Sequence, residues 1–105
     1  MDFYTIEYSP AAKRDILKLE KTVQKSIIEK MESLIPNPYP PDSVKIEGSK
    51  DFYRVREGNY RIIYTVEEGE ITVLVLRIRD RKEIYKGKKY LKVLAEAKLS
   101  VSQVL

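Results

Sequence analysis

The sequence contains no cysteine, no histidine and no tryptophan among its 105 residues. Without cysteine there can be no disulfide framework and no thiolate metal site, and without histidine the commonest metal ligand is missing. Cysteine proteases, hydrolases with a serine–histidine–aspartate triad, zinc enzymes and ribonucleases that use histidines as acid and base are therefore excluded. Any chemistry must come from Asp, Glu, Lys, Arg, Tyr or Ser side chains.

Motifs that hold nucleotides or metals are also missing. The chain has no glycine-rich phosphate loop and no acidic cluster suited to a metal, which disfavours a nucleoside triphosphatase and a two-metal nuclease. We therefore predict no metal and no cofactor.

Long apolar runs are absent as well. No run approaches the roughly 20 residues that cross a bilayer, and residues 1–9 lack the basic start and apolar stretch of a signal peptide. We expect no membrane association and a cytoplasmic location. A length of 105 residues with 43% hydrophobic side chains predicts one folded domain.

Positive charge is concentrated in the second part of the chain. The formal net charge is only +4, yet residues 1–44 hold 6 basic and 7 acidic side chains whereas residues 45–92 hold 13 basic and 8 acidic ones. A local excess of this sign attracts polyanions such as nucleic acids. A solvated basic surface without a partner is the alternative interpretation.

The first half of the chain predicts a strand followed by a helical hairpin. Residues 2–8 are rich in aromatic and β-branched side chains, which is typical of a strand. Ser9 and Pro10 fit the N-cap and first position of a helix that runs through about Leu19. Thr22 is a candidate N-cap of a second helix. The apolar stripe of that helix comprises Val23, Ile27, Met31, Leu34 and Ile35.

From Phe52 onward the pattern changes to a period of two, which is typical of strands. Gly58 and Asn59 predict a turn before a strand at residues 60–66, and residues 71–78 are apolar on both faces, as in a buried central strand. The elements predict an α+β fold in the order β-α-α-β-β-β, with the helical hairpin packed on one face of a small antiparallel sheet. The other face stays partly open, and a C-terminal helix is possible beyond residue 87.

Five arginines lie on the predicted strands. Arg54 and Arg56 are two residues apart, or roughly 7 Å, a spacing that matches successive phosphates. Arg61, Arg77 and Arg79 follow on the next two strands. If these strands pair as a meander, we expect all five to converge on one face, where they would repel unless an anion bound there. Alternatively, these arginines keep the protein soluble or protect a sheet edge from pairing with another strand. Some of them would then form ion pairs with nearby glutamates, namely Glu57, Glu67, Glu68 and Glu70.

Three further residues near the end of the last strand are candidates for chemistry. Asp80 and Glu83 could act as a general base, although ion pairs with Arg79 or Arg81 are the favoured interpretation. Tyr85 lies among many positive charges, so it could lose a proton, stack on a nucleobase or simply pack in the core.

Four segments of the sequence resemble the RelE/ParE toxin superfamily. They are YSPAAKRDI at residues 8–16, DFYRVR at residues 51–56, GNYRIIY at residues 58–64 and RKEIY at residues 81–85. The resemblance implies a RelE-like domain at residues 1–86 and, in the same domain, a C-terminal extension at residues 87–105 that we expect to be helical. It also implies a cognate antitoxin as partner.

RelE-type members of that superfamily cut mRNA in the ribosome without a metal, through attack of a ribose 2′-hydroxyl on the neighbouring phosphate. By resemblance, Arg61 would stabilise the transition state, Arg79 or Arg81 would neutralise the leaving oxygen, and Tyr85 would stack on a base or assist proton transfer. The predicted phosphate-binding residues are Lys45, Arg54, Arg56, Arg77 and Lys82. The implied partners are thus the antitoxin, the ribosome and mRNA.

Two positions depart from the RelE pattern. Asp80 stands where many relatives have histidine, and Arg54 and Arg56 stand where RelE-type toxins often have lysine. A guanidinium is a poor general base because it hardly deprotonates. Two alternatives therefore remain beside an mRNA endonuclease: a non-enzymatic ParE-type inhibitor of DNA gyrase, and an inactive relative that only binds its antitoxin.

Overall fold

The computed structural model describes the backbone of residues 3–83 and 88–104, and the side chains of residues 3–83 and 91–99. The α+β class is as predicted, and so is the order of elements apart from one additional short strand, β2; a C-terminal helix is present. The strands and helices are β1 (Thr5–Tyr8), α1 (Pro10–Leu17), α2 (Lys21–Glu32), β2 (Val44–Lys45), β3 (Phe52–Glu57), β4 (Tyr60–Glu67), β5 (Thr72–Asp80) and α3 (Lys88–Val104). Short 3₁₀ turns follow β4 and β5.

The sheet is mixed rather than wholly antiparallel. Its strand order is β1-β5-β4-β3-β2, and β1 runs parallel to β5 while all other neighbours are antiparallel. The prediction of an antiparallel sheet was wrong for β1, because the chain returns to this strand only after the β3–β4–β5 meander. The two-residue β2 was not predicted.

Local signals set the start of the first helix. Ser9 is extended, and its hydroxyl accepts a hydrogen bond from the backbone N of Ala12 at 3.0 Å, while Pro10 occupies the first turn. This is the expected N-cap arrangement. The helix ends at Leu17, two residues before the predicted end. The second helix begins at Lys21, so the predicted N-cap at Thr22 was wrong.

Both faces of the sheet carry apolar cores. The helical hairpin packs on one face, with Ile27 and Met31 against side chains of β3, β4 and β5 such as Val55, Ile62 and Val75. On the opposite face α3 packs its buried residues against β4 and β5. That second cluster comprises Ile63, Leu74, Leu76, Leu94 and Ala97.

The burial of β5 follows from its central position. The run from Thr72 to Leu76 is buried throughout, as expected for a strand covered on both faces. The apolar cluster beneath α3 reaches Leu76 of β5, and the arginines of β5 follow it in sequence. Within the described residues, no helix is long and apolar enough to span a bilayer.

Candidate nucleic-acid interface

Three arginines lie in a row across three strands. Arg56 of β3 is directly opposite Arg61 of β4, and Arg61 is directly opposite Arg79 of β5. Residues paired in this way project from the same face of an antiparallel sheet. Arg54 shares the face, since it stands two residues before Arg56 and opposite Ile63. We call Arg54, Arg56, Arg61 and Arg79 the arginine row.

Arg61 lies at the centre of this positive charge. Burial lowers the pKa of its guanidinium, and the charges of Arg56, Arg54 and Arg81 lower it further, while Asp80 acts in the opposite direction. Like charges placed together disfavour the charged state of each. Arg61 therefore lies close to three other guanidiniums, those of Arg54, Arg56 and Arg81, and it stays charged at neutral pH.

The hydrogen bonds of Arg56 and Arg61 leave their charges unneutralised. Arg56 Nε and Arg61 Nη1 each lie 3.4 Å from the carbonyl oxygen of Gly58, and Arg61 Nη1 also donates to the carbonyl of Tyr60 at 3.2 Å. These acceptors are neutral carbonyl groups. A phosphate bound here would replace weak contacts with charge-assisted bonds.

The β3–β4 turn holds Arg81 close to Arg61. Gly58 adopts a positive φ of 59°, which glycine tolerates because it lacks a Cβ, and the chain reverses over two residues. The backbone N of Arg81 donates to the carbonyl of Asn59 at 2.8 Å. The first residue after β5 is thus tied to the turn beside Arg61.

The carboxylates near the end of β5 have structural partners. Glu83 lies 3.2 Å from Arg79 Nη2 and is about half exposed, which confirms the ion-pair interpretation for this residue. Asp80 Oδ1 accepts a hydrogen bond from the backbone N of Lys82 at 2.9 Å. A phosphate that reaches Arg79 therefore competes with Glu83 for its guanidinium.

Two of the predicted phosphate-binding residues do not join the row. Lys45 stands opposite Tyr53, which packs toward the helical hairpin, and so projects from the other face. Arg77 pairs with Asp15 of α1, which corrects the expectation that five arginines converge. Lys82 is exposed beside the row, and Tyr85 lies outside the described residues.

Sequence reasoning did not single out Asp15. Its carboxylate accepts bonds from Arg77 Nε (2.9 Å), Arg77 Nη2 (3.2 Å) and the backbone N of Ile78 (2.9 Å). A signal was present, because Asp15 follows the buried Ala12 by three residues and so shares the inner face of the helix. A carboxylate on an inward face needs a partner.

Tyrosines form a second cluster, away from the arginine row. The rings of Tyr39 and Tyr53 meet edge to face at 5.4 Å, and those of Tyr53 and Tyr64 stack at 5.9 Å. The carboxylate of Glu68 accepts hydrogen bonds from the hydroxyls of Tyr39 and Tyr4. These bonds lower the pKa of Glu68, and burial raises the pKa of Tyr39 above its ordinary value, followed by the Glu68 contact.

No metal site stands out in the part of the chain whose side chains are described. There, no group of three or more acidic, cysteine or histidine side chains is placed to hold a metal ion. The charged groups that the arginine row presents are guanidiniums.

Comparisons with known proteins find relatives that cover most of the chain. Residues 6–85 match the family model described as the ParE toxin of type II toxin–antitoxin systems, parDE. A RelE-like toxin protein of Escherichia coli is 28% identical over 86 residues, covering 78% of this chain and 90% of that protein. The toxin RelG of Mycobacterium tuberculosis is 26% identical over 84 residues, covering 79% and 97%.

A solved structure shares the fold. The archaeal RelE–RelB complex from Pyrococcus horikoshii OT3 contains a chain that superposes with a TM-score of 0.68 at 26% identity. The superposition covers 78% of this chain and 99% of that one.

Proposed function

Because this chain belongs to the ParE toxin family of type II toxin–antitoxin systems, we propose that it is a toxin of the RelE type that cleaves mRNA on the ribosome without a metal. The observation that carries the proposal is the arginine row, with Arg81 beside it. By resemblance, ParE-type inhibitors of gyrase lack the catalytic basic residues of RelE-type toxins, so the arginine row favours RNA cleavage over gyrase inhibition.

In the proposed reaction the 2′-oxygen of a ribose forms a bond to the adjacent phosphorus, and the bond from phosphorus to the 5′-oxygen breaks. Negative charge builds up on the non-bridging oxygens and on the leaving oxygen. Fixed positive groups that face this charge lower the barrier, and they are most effective where water is excluded. The products are a 2′,3′-cyclic phosphate and a 5′-hydroxyl.

The residues of this surface fit separate roles. Arg61, central and flanked by other guanidiniums, stabilises the pentacoordinate phosphorus. Arg54 and Arg56 hold flanking phosphates, which their spacing of roughly 7 Å along β3 suits. Arg79 or Arg81 neutralises the leaving 5′-oxygen. Tyr85 stacks on a base or assists proton transfer. The 2′-hydroxyl gives its proton to solvent or to the ribosome, and the leaving 5′-oxygen takes up a proton from solvent to become the 5′-hydroxyl.

A cognate antitoxin is the expected partner of a toxin in this family. Solved relatives include RelE–RelB complexes from M. tuberculosis and P. horikoshii. We propose that a segment of the antitoxin covers the arginine row with carboxylates, because within the described residues Arg79 has an ion pair with Glu83 but the other three arginines have none. Repulsion among Arg54, Arg56 and Arg61 would be relieved on binding, as it would be by RNA phosphates.

The test is to express the chain from a tight promoter and map mRNA 5′ ends before and after induction. New ends inside translated codons are expected, and they should disappear when ribosomes are held away from the message. Arg61→Gln and Arg81→Gln should reduce both cleavage and growth arrest. Lys13→Gln, which removes one exposed charge from α1, is the matched control and should keep both. Unchanged toxicity in both arginine variants would contradict the assignment.

Inhibition of DNA gyrase is a second candidate function. It is favoured by the match to the ParE family model and by Asp80, which stands where many RelE-type toxins have histidine. If this function is correct, purified protein in excess should block supercoiling by gyrase, and growth arrest should occur without new mRNA ends. Supercoiling at the normal rate would exclude it.

A further inference from the structure

The last third of β5 has a neighbouring strand on one side only. β1 pairs with β5 as far as Tyr8 and Val75. Ser9 then donates from its backbone N to the carbonyl of Val75 at 2.9 Å and from its hydroxyl to the carbonyl of Leu76 at 2.8 Å. Beyond that point the N–H of Ile78 lies at an edge of the sheet without a strand beside it. A backbone donor in this position needs another partner.

Asp15 supplies that partner. Its Oδ2 accepts from the backbone N of Ile78 and from Arg77 Nε, both at 2.9 Å, and its Oδ1 accepts from Arg77 Nη2 at 3.2 Å. The Asp15 side chain is only 11% exposed, so the three bonds are shielded from water. The carboxylate takes the place that a residue of β1 would hold if that strand were longer.

The contact coincides with an irregularity in β5. Ile63 is opposite Arg77, but Tyr64 is opposite Val75, so Leu76 is an extra residue in this strand. A bulge of this kind bends a strand and increases its twist. Beyond the bulge β4 pairs with residues 77–80 on one side of β5. The bonds to Asp15, which begin one residue after Leu76, hold the other side.

The segment that Asp15 holds carries part of the arginine row. Arg79 follows Ile78 directly and stands opposite Arg61, and Arg81 follows two residues later beside the β3–β4 turn. Asp15 itself is anchored by α1, whose first turn is fixed by the buried Ser9. A rigid path therefore connects the helix to the strand end.

We propose that Asp15 is a positioning residue for the proposed RNA-cleaving surface, with Arg77 as its partner. It contacts no substrate and acts by holding Arg79 and Arg81 in place relative to Arg61. This inference rests on the proposed function and assigns Arg77 a role other than phosphate binding.

Two substitutions probe the contact. Asp15→Asn keeps the shape of the side chain but removes its charge and one acceptor, and Arg77→Met removes the guanidinium while leaving the bond from Ile78 to Asp15. The matched control is Asp42→Asn, which breaks the ion pair of Asp42 with Lys30 (2.6 Å) on the helical-hairpin side. All rates are measured on ribosome-bound mRNA at a temperature where circular dichroism shows every variant to be folded.

Positioning predicts a change in kcat rather than in KM. We expect Asp15→Asn to lower kcat by about 10- to 100-fold, which is the effect of moving catalytic groups by about 1 Å. The KM should stay within about threefold of the parent value. The control should retain the kcat of the parent. If the kcat of Asp15→Asn falls no further than that of Asp42→Asn, positioning is overturned. It is also overturned if Arg77→Met mainly raises KM and weakens its salt dependence, as loss of a direct phosphate contact would.

Hydrogen exchange tests the same inference without any cleavage assay. In Asp15→Asn, amides of residues 77–81 should lose protection, whereas those of residues 72–76 should keep it, because β1 still covers them. Unchanged protection at residues 77–81 would overturn positioning. If the parent cuts no mRNA, the proposed function fails, and the exchange result still decides whether Asp15 holds the strand end.

Discussion

Replacing the central arginine should make the protein more stable. Arg61 stands directly opposite Arg56 and Arg79 in the sheet, and like charges in such cross-strand positions are destabilising by roughly 0.2–1 kcal/mol per pair. Glu83 partly neutralises Arg79, so most of the repulsion that acts on Arg61 comes from Arg56. The bond of Arg61 to the carbonyl of Gly58 is long and exposed, and the part-buried bond to the carbonyl of Tyr60 is 3.2 Å, so the loss of both should cost less than the repulsion that is removed.

We therefore expect Arg61→Gln to raise the free energy of unfolding by about 0.5 kcal/mol at low salt. For a chain of this size the gain corresponds to a rise in Tm of roughly 2–4 °C. It should shrink in 1 M NaCl, where the Debye length is about 3 Å. The same substitution should reduce growth arrest, so stability and activity would change in opposite directions.

Urea denaturation of the parent, Arg56→Gln, Arg61→Gln and the double variant measures the pair directly. The double-mutant cycle isolates the interaction between the two guanidiniums from their other contacts. A repulsive coupling of about 0.5 kcal/mol at 20 mM salt, reduced in 1 M NaCl, is the expected result. A coupling of zero, or a loss of stability in Arg61→Gln at low salt, would refute the argument that the arginine row is strained without its ligand.

Two further predictions concern stability away from the arginine row. Glu68→Gln should destabilise the protein at pH 7, since the carboxylate binds the hydroxyls of Tyr39 and Tyr4. The folded-state pKa of Glu68 is below its ordinary 4.5, so this contribution is present above pH 4.5 and is lost as the pH falls through the folded value. Urea melts at pH 7 and pH 3 check this, and an equal difference at both values would contradict it. Leu94→Ala should cost about 2–4 kcal/mol, because Leu94 is fully buried between α3 and the sheet, and a loss below 1 kcal/mol in thermal melts would mean that α3 contributes little to packing.

Local sequence signals were sufficient for most of the secondary structure. The helix start at Ser9 and Pro10 and the turn at Gly58 depend on the intrinsic conformations of a few neighbouring residues. The period-two pattern of β3 also put Arg54 and Arg56 on the face opposite Val55, as the structure has them. Such features need no knowledge of distant parts of the chain.

The parallel pairing of β1 was not predictable in this way. It joins residues more than 60 positions apart, such as Thr5 and Thr72, and an alternating pattern is the same for a parallel and an antiparallel neighbour. The position of the Arg77 side chain depends on where this pairing ends. Because β1 stops at Tyr8, the backbone N–H of Ile78 has no strand partner on that side, and Asp15 accepts its hydrogen bond instead. Arg77 pairs with Asp15 and so does not join the arginine row.

By itself, therefore, the sequence determined the chemistry that this protein can use. The absence of cysteine and histidine limits it to carboxylate, amine, guanidinium and hydroxyl groups, and composition alone decides this. Only the tertiary structure decided which charges act together. Strand register placed Arg56, Arg61 and Arg79 opposite one another, while Asp15 removed Arg77 from the set. Both outcomes depend on pairing between distant segments, which one-dimensional periodicity does not encode.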